Sequence, residues 1–213
     1  MDEGRVKLEV EIRNAVLMAI YKKTGVRYVP VAVSNRHAHL SRADMEVLFG
    51  AGRKLTPMKS LSQPGQYAAK ETLSLTGPKG RIDGIRVLGP ERGSSQVEIS
   101  VTDSFRLGIT PLIRMSGDTA GSPGGRVETK LGSVELSEGV IVAARHMHIS
   151  SAQAQIMGLS DGQAVSLKSA GGRGVVFDNV AVRSGEGFDL EVHLDTDEAN
   201  AALLRDGDLL EVV

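Results

Sequence analysis

The sequence predicts a mainly β protein: two pseudo-repeated small β-barrel domains with short helices, preceded by an N-terminal helix. Three observations carry this. Short β-type runs alternate with Gly, Pro and Asp turns from Tyr28 to the C-terminus. Turns such as Ser160-Asp161-Gly162 and Arg205-Asp206-Gly207-Asp208 are spaced for small barrels, not for the crossovers of a layered parallel sheet. A motif at residues 36–41 returns at residues 145–150 with similar flanks.

Residues 5–23 place Val6, Val10, Ile12, Val16, Leu17 and Ile20 mostly at three- and four-residue steps, which predicts an amphipathic helix ending near Gly25. Residues 6–12 also alternate like a strand, so the first turns are the weaker part. Such a helix packs on the body of the protein or docks a partner. Strands are expected at 28–33, 71–75, 85–88, 97–101, 140–144, 164–167, 175–182, 189–194 and 209–213. Neither a dinucleotide-binding nor a Walker-type glycine pattern follows any of them. The segments Gly124-Gly125-Arg126 and Gly171-Gly172-Arg173-Gly174 therefore read as turns.

Composition removes several chemistries. The 213 residues contain no cysteine, which excludes disulfides, thiolate metal sites and a cysteine nucleophile. There is no tryptophan, with four Phe and three Tyr, and the net charge is −1; nucleic-acid binding is not expected. The acidic start Met1-Asp2-Glu3-Gly4-Arg5 lacks a signal peptide's apolar core, and the apolar run 15–21 is too short to span a bilayer. No membrane association is expected, and the reading is a protein of the cytoplasm.

Histidine is the informative residue. Four of the five fall in two His-x-His pairs, within Arg36-His37-Ala38-His39-Leu40-Ser41 and Arg145-His146-Met147-His148-Ile149-Ser150. Each pair follows an apolar run, and each serine opens a helix-like stretch, with Ser150 and Gln153 fitting a capping box and Ser41 with Asp44 a looser one. The repeat extends to 97–103 and 192–197, where Glu98 and His193 take equivalent places. On a strand, residues two apart share a face. The two halves thus offer His37, His39 and Glu98, and His146, His148 and His193. Three ligands and an open position are the catalytic arrangement for zinc. The donors suit Zn(II), and also Co, Ni, Mn or Fe(II). Spacing alone does not fix whether two ions share a cleft. Arg92, in the turn before the strand carrying Glu98, is either a clamp for a tetrahedral oxyanion such as phosphate or a solvated loop arginine.

On these motifs the chain resembles the PduL-type phosphotransacylases (phosphate propanoyltransferases). The resemblance rests on residues 33–41, 63–69, 88–100, 114–117, 139–148 and 195–202, in order, and covers about residues 30–203. It implies two β-barrels, a two-metal centre on the residues named above, Arg92 on the phosphate, and the reaction acyl-CoA + phosphate ⇌ acyl phosphate + CoA. It further implies an exchanged strand, giving an N-terminal segment 1–27, a first barrel 36–143 and a second barrel 28–35 plus 144–213. For coenzyme A, Lys59 and Arg86 are nominated for its phosphates, Ser34, Leu88 and Asn200 for the pantetheine arm, and Phe105 for adenine stacking. The family serves bacterial microcompartments, which implies a place in their lumen and in propanediol degradation, with the 5–23 helix as contact for shell or core enzymes. A homo-oligomer is a further expectation. The alternative activity is a dinuclear metallohydrolase acting on thioesters or phosphoesters.

Overall fold

The computed structural model describes residues 3–213. Met1 and Asp2 of the acidic start, and the side chains of Glu3, Arg5 and Val6, lie outside the described residues. In chain order the elements are α1 (Glu3–Thr24), β1 (Tyr28–Ser34), β2 (His37–His39), α2 (Arg42–Phe49), β3 (Pro57–Ser60), β4 (Tyr67–Thr76) and β5 (Arg81–Gly89). Then come β6 (Gln96–Glu98), α3 (Val101–Leu107), β7 (Leu112–Arg114), β8 (Gly125–Glu128), β9 (Ser133–Leu136) and β10 (Val140–Ala143). The chain closes with β11 (His146–Ser150), α4 (Ser151–Met157), β12 (Ala164–Lys168), β13 (Val176–Gly185), β14 (Glu191–Asp195), α5 (Thr196–Ala202) and β15 (Leu209–Val212). The protein is mainly β with an N-terminal helix, as the turn spacing predicts. Among the described residues, no helix is long and apolar enough to cross a membrane.

Two compact units divide the chain. The first contains the stretch ending at Ser34, a short excursion Ser62–Pro64, and Ala144–Val213. Its strands form a closed barrel in the order β1-β14-β11-β13-β12-β15. β1 closes the barrel by lying parallel to β14, with Val31 opposite Val192, and antiparallel to β15, with Val29 opposite Leu210. Alternate residues of these strands, including Val29, Val31, Met147, Ile149, Val180, Val182, Val192 and Leu210, fill one apolar core. Each such side chain is worth about 1.5–3 kcal/mol when fully buried.

The second unit comprises Asn35–Leu61 and Gly65–Ala143. Its nine-stranded sheet runs β7-β10-β6-β2-β5-β4-β8-β9, with β3 paired to β4. Its core gathers Ala38, Leu40, Leu73, Leu75, Ile85, Val87, Val97, Ile99, Val140 and Val142. Its sheet has nine strands where the barrel has six, with β3, β8 and β9 as additions. Gly125 and Arg126, expected in a turn, instead open β8, where Gly125 pairs with Leu136. The expected strand 97–101 also stops early, at Glu98. Ser100 and Asp103 there form a reciprocal capping box that converts Val101 into the first residue of α3.

The helix α1 departs from a single-faced pattern. Val10 and Leu17 are buried, and Leu17 joins the barrel core, while Leu8, Ile12 and Val16 are all more than half exposed. These three recur every four residues on the opposite face. The apolar residues split into two stripes, of which the barrel covers one.

Within the second unit, Glu71 of β4 fastens the approach to β3. Its carboxylate accepts the Thr56 N–H at 2.9 Å and the Thr56 hydroxyl at 2.8 Å. Burial by itself would raise this carboxyl, but the Thr56 donors and nearby Arg53 hold it below its ordinary value. A depressed carboxyl adds stability that is full above the unfolded pKa of about 4.3 and is lost as pH falls through the folded value. Glu71→Gln is therefore expected to lower the melting temperature at pH 7, with the gap to wild type narrowing in melts at pH 4 and below.

Candidate metal centres

The strand period builds both sites. In β2, Ala38 faces the apolar core while His37 and His39 share the other face, and β6 lies antiparallel beside it. The register sets His37 opposite Glu98 and His39 opposite Gln96. In the barrel, β11 and β14 repeat this: His146 stands opposite His193 and His148 opposite Glu191, with Met147 turned to the core. Parallel partners repeat as well, β5 beside β2 and β13 beside β11.

The ligand atoms of His37, His39 and Glu98 lie within 4.8 Å of one another, and so do those of His146, His148 and His193. All are buried except His193, which is partly exposed. The Nε2 of His37 is 3.4 Å from Glu98 Oε2, and that of His39 is 3.9 Å from Oε1. Ligands bound at about 2.0–2.1 Å around a tetrahedral zinc stand about 3.3 Å apart. The first histidine of each pair is oriented by its own chain. His37 Nδ1 sits 2.9 Å from the Asn35 carbonyl and His146 Nδ1 2.8 Å from that of Ala144. A donated Nδ1–H puts the lone pair on Nε2. The second histidine of each pair, His39 or His148, has a buried Nδ1 with no hydrogen-bond partner. Unsatisfied buried nitrogens of this kind, three donors in close convergence and no thiolate fit a divalent ion.

Electrostatics keeps His39, His148 and Glu98 in their ligating forms. Burial, assisted by His37 and Arg92, lowers His39 to about 3. Burial with His146 and His193 lowers His148 to about 3. Burial works against the Glu98 carboxylate, yet His37, His39 and the Ser116 hydroxyl hold its pKa far below the usual range. Neutral imidazoles and an ionised carboxylate are what a metal requires.

Around Glu98 the second unit adds a polar cluster. Ser116 donates to Glu98 Oε1 at 2.7 Å, Gln96 Nε2 donates to the same oxygen at 2.7 Å, and Gln96 also reaches Ser116 Oγ at 2.8 Å. Arg92 Nη1 donates to Ser116 Oγ at 2.9 Å, and its backbone N–H to the Leu40 carbonyl at 2.9 Å. Arg92 is thus tied into the cluster around Glu98 and close enough to act on both histidines: it helps burial lower His39, while His37, pulled down by burial and Arg92, is raised overall by Glu98 and the Asn35 carbonyl. Sequence spacing nominated Arg92 but assigned nothing to Gln96 or Ser116. The legible signal was Gln96 two residues before Glu98, on the same strand face.

The remaining sequence-nominated residues scatter. Lys59 is exposed, with its backbone in the β3–β4 ladder. Arg86 uses Nη1 on the carbonyls of Ala69 and Lys70, so that nitrogen serves the sheet. Leu88 is half-buried opposite Ala68. Phe105, on α3, is 76% exposed and so is not a core residue. In the first unit, Ser34 pairs with Asp195 at the end of β1, and Asn200 is exposed on α5.

A guanidinium tied to a buried histidine–carboxylate triad, on a duplicated β scaffold, makes a candidate metal centre with a cation beside it. Comparison with known proteins supplies the family. The family model described as phosphate propanoyltransferase matches residues 30–205. A Thermotoga maritima phosphate propanoyltransferase is 53% identical over 86% of this chain and 88% of its own. Its Rhodobacter capsulatus counterpart is 52% identical over 89% and 88%, and that of Salmonella typhimurium 46% over 92% and 93%. The chain belongs to the phosphate propanoyltransferase family, and it is a phosphotransacylase.

The loop carrying Arg92 begins at a close approach. A Cβ on Gly89 would fall 2.2 Å from the Tyr67 ring, its ladder partner. Gly89→Ala is expected to destabilise the protein by about 1–3 kcal/mol through overpacking. The double variant G89A/Y67A should recover part of that loss in denaturant melts.

Proposed function

We propose that each triad holds one divalent ion, Zn(II) by its donor set, and that the chain interconverts a short acyl-CoA and phosphate with acyl phosphate and CoA. Propionyl- or acetyl-CoA is the thioester; the relatives are named for propanoyl transfer. The observation that carries the reading is the Arg92–Ser116–Glu98 chain of hydrogen bonds, which ties a guanidinium to one candidate ligand. Bound ions would polarise the thioester carbonyl and stabilise the oxyanion. Arg92 binds phosphate bidentately and holds an oxygen toward the carbonyl carbon, so a bimolecular attack becomes a positioned one. The phosphate oxygen forms the new C–O bond, the C–S bond breaks, and the thiolate of CoA leaves. With no cysteine in the chain, no thiol side chain carries the acyl group, and direct transfer is the reading.

Further readings attach to this one. Lys59 and Arg86 meet the phosphates of CoA, Phe105 stacks on adenine, and Ser34, Leu88 and Asn200 line the pantetheine arm. The exposure of Lys59 and Phe105 supports their part, and Arg86 has a second terminal nitrogen beyond the one bonded to the sheet. The folding domains are 36–143 and 28–35 plus 144–213, with 1–27 appended. The uncovered stripe Leu8, Ile12 and Val16 docks the chain to a partner within a cytoplasmic microcompartment.

Elemental analysis should find two ions per chain, and His193→Ala or Glu98→Gln should each lower that number along with activity. Arg92→Ala should retain both ions while weakening phosphate use by at least tenfold in kcat/KM, a loss of about 1.4 kcal/mol of transition-state binding. Thioester consumption that continues without phosphate would instead identify a hydrolase. Replacing Leu8, Ile12 and Val16 with Glu should leave acyl transfer unchanged while abolishing co-purification with microcompartments. Sedimentation of that variant beside the wild type reports whether the same face joins copies of the chain.

A further inference from the structure

The two candidate centres share one more position, and its chemistry changes between them in a regular way. On β6, Gln96 lies two residues before Glu98; on β14, Glu191 lies two residues before His193. The registers place Gln96 opposite His39 and Glu191 opposite His148. Each half therefore presents four polar residues on one face of two antiparallel strands: two histidines, a third candidate ligand and a fourth residue outside the triad. Both fourth residues are buried, Gln96 at 1% and Glu191 at 4% exposure.

Each fourth residue reaches the third ligand with the complementary function. Glu98 is an acceptor, and Gln96 gives it an amide N–H at 2.7 Å. His193 carries a ring N–H to place, and Glu191 Oε1 lies 2.9 Å from its Nε2. That contact has ion-pair distance, although its angle leaves Nε2 short of a hydrogen bond. The fourth residues are themselves fixed. Gln96 Oε1 accepts the Gly117 N–H at 2.8 Å. Glu191 Oε1 accepts Ser62 Oγ at 2.6 Å and Gln63 Nε2 at 3.4 Å, and Gln63 Nε2 also reaches the Asp189 carbonyl at 3.3 Å. Ser62 and Gln63 belong to the short excursion Ser62–Pro64, the one stretch between Ser34 and Ala144 that is part of the first unit. Holding Glu191 gives that excursion a purpose.

We propose that Gln96 and Glu191 are duplicated positioning residues, each matched to the ligand beside it: an amide donor orients the carboxylate ligand Glu98, and a carboxylate acceptor orients the imidazole ligand His193. In the barrel, Glu191 takes the Nε2–H and turns Nδ1 of His193 toward the ion, and Ser62 and Gln63 fix Glu191. The inference rests on the metal reading above. Partners that orient ligands in this way typically contribute 10–100-fold to metal affinity.

The test uses the full-length, zinc-loaded protein and its Glu191→Gln, Gln96→Glu and Ser62→Ala variants, dialysed against a graded series of a metal chelator. Zinc retained per chain is measured, and so is the absorption spectrum of the cobalt-substituted form. Glu191→Gln and Gln96→Glu should each weaken one ion by about 10–100-fold and leave the other as in wild type. Ser62→Ala should weaken the same ion as Glu191→Gln, by less, and Glu191→Asp should restore part of the affinity. Cobalt spectra should shift at one site only, and melting of the metal-free proteins should be unchanged. Variants that hold both ions as tightly as wild type overturn the positioning role while leaving the metal reading intact. Loss of both ions together with the fold overturns it also, since the residues would then be structural. A wild-type chain that takes up no zinc overturns the metal reading itself.

Discussion

The structure depends on one constraint, the two-residue period of a β-strand placed against an antiparallel neighbour in fixed register. A strand can send alternate side chains to two environments and no more. In β2 and β11 that alternation sends Ala38 and Met147 into apolar cores, and the histidines on either side of them to a common polar face. The neighbouring strand obeys the same rule, with Val97 or Val192 inward and the third ligand outward. Slipping either pair by one residue would drive imidazoles into the core and expose the methylenes that replaced them. The burial that stabilises each unit thus also fixes which groups converge at the site.

The same duplication extends past the ligands into what holds them. Arg36, just before the first pair, donates to Asp103 at 2.8 Å, and Arg145, just before the second, is paired with Glu198. Asp103 and Glu198 are the third residues of α3 and α5, and both close capping boxes with Ser100 and Asp195. So an arginine at each His-x-His strand grips the helix that follows the opposing strand. The exchange of strands is reciprocal in the same sense. β1 precedes β2 in the chain but lies parallel to β14, while β10 precedes β11 but lies parallel to β6. Each unit receives its first strand from the sequence that introduces the other pair of histidines.

Much of this was legible in the sequence, because repetition and alternation are local signals. Each of the nine expected strand segments contains a strand, the serines at 41 and 150 open helices, and the two triads converge. The misreadings have physical causes. The segment 97–101 is β-branched enough to look like one strand, but the Ser100–Asp103 capping box outweighs propensity and starts a helix. The apolar steps of α1 predict a single face, whereas two stripes a half-turn apart satisfy the same spacing. The supporting residues were invisible for a different reason. Ser116 and Ser62 reach Glu98 and Glu191 from 18 and 129 residues away, and no local pattern marks a hydroxyl as a partner.

Charge gives the duplicated scaffold its remaining logic. A buried divalent ion surrounded only by neutral imidazoles leaves its charge uncompensated, and such ions dominate the local electrostatics. In the second unit Glu98 brings one carboxylate directly to the candidate site, with the Arg92 guanidinium tied in beside it through Ser116. In the barrel the three donors are all imidazoles, and the carboxylate stands one layer back as Glu191, held ionised against the cost of burial by the adjacent His193 and by its bonds with Ser62 and Gln63. Each half thereby supplies one carboxylate, inside the triad in one case and beside its third histidine in the other. A guanidinium stands within electrostatic reach of both: Arg92 acts on His37 and His39, and Arg183, opposite His148 across β11 and β13, acts on that ring. One scaffold used twice, with one side chain changed on the strand and a matched change two residues earlier, therefore yields two triads that differ by one formal charge.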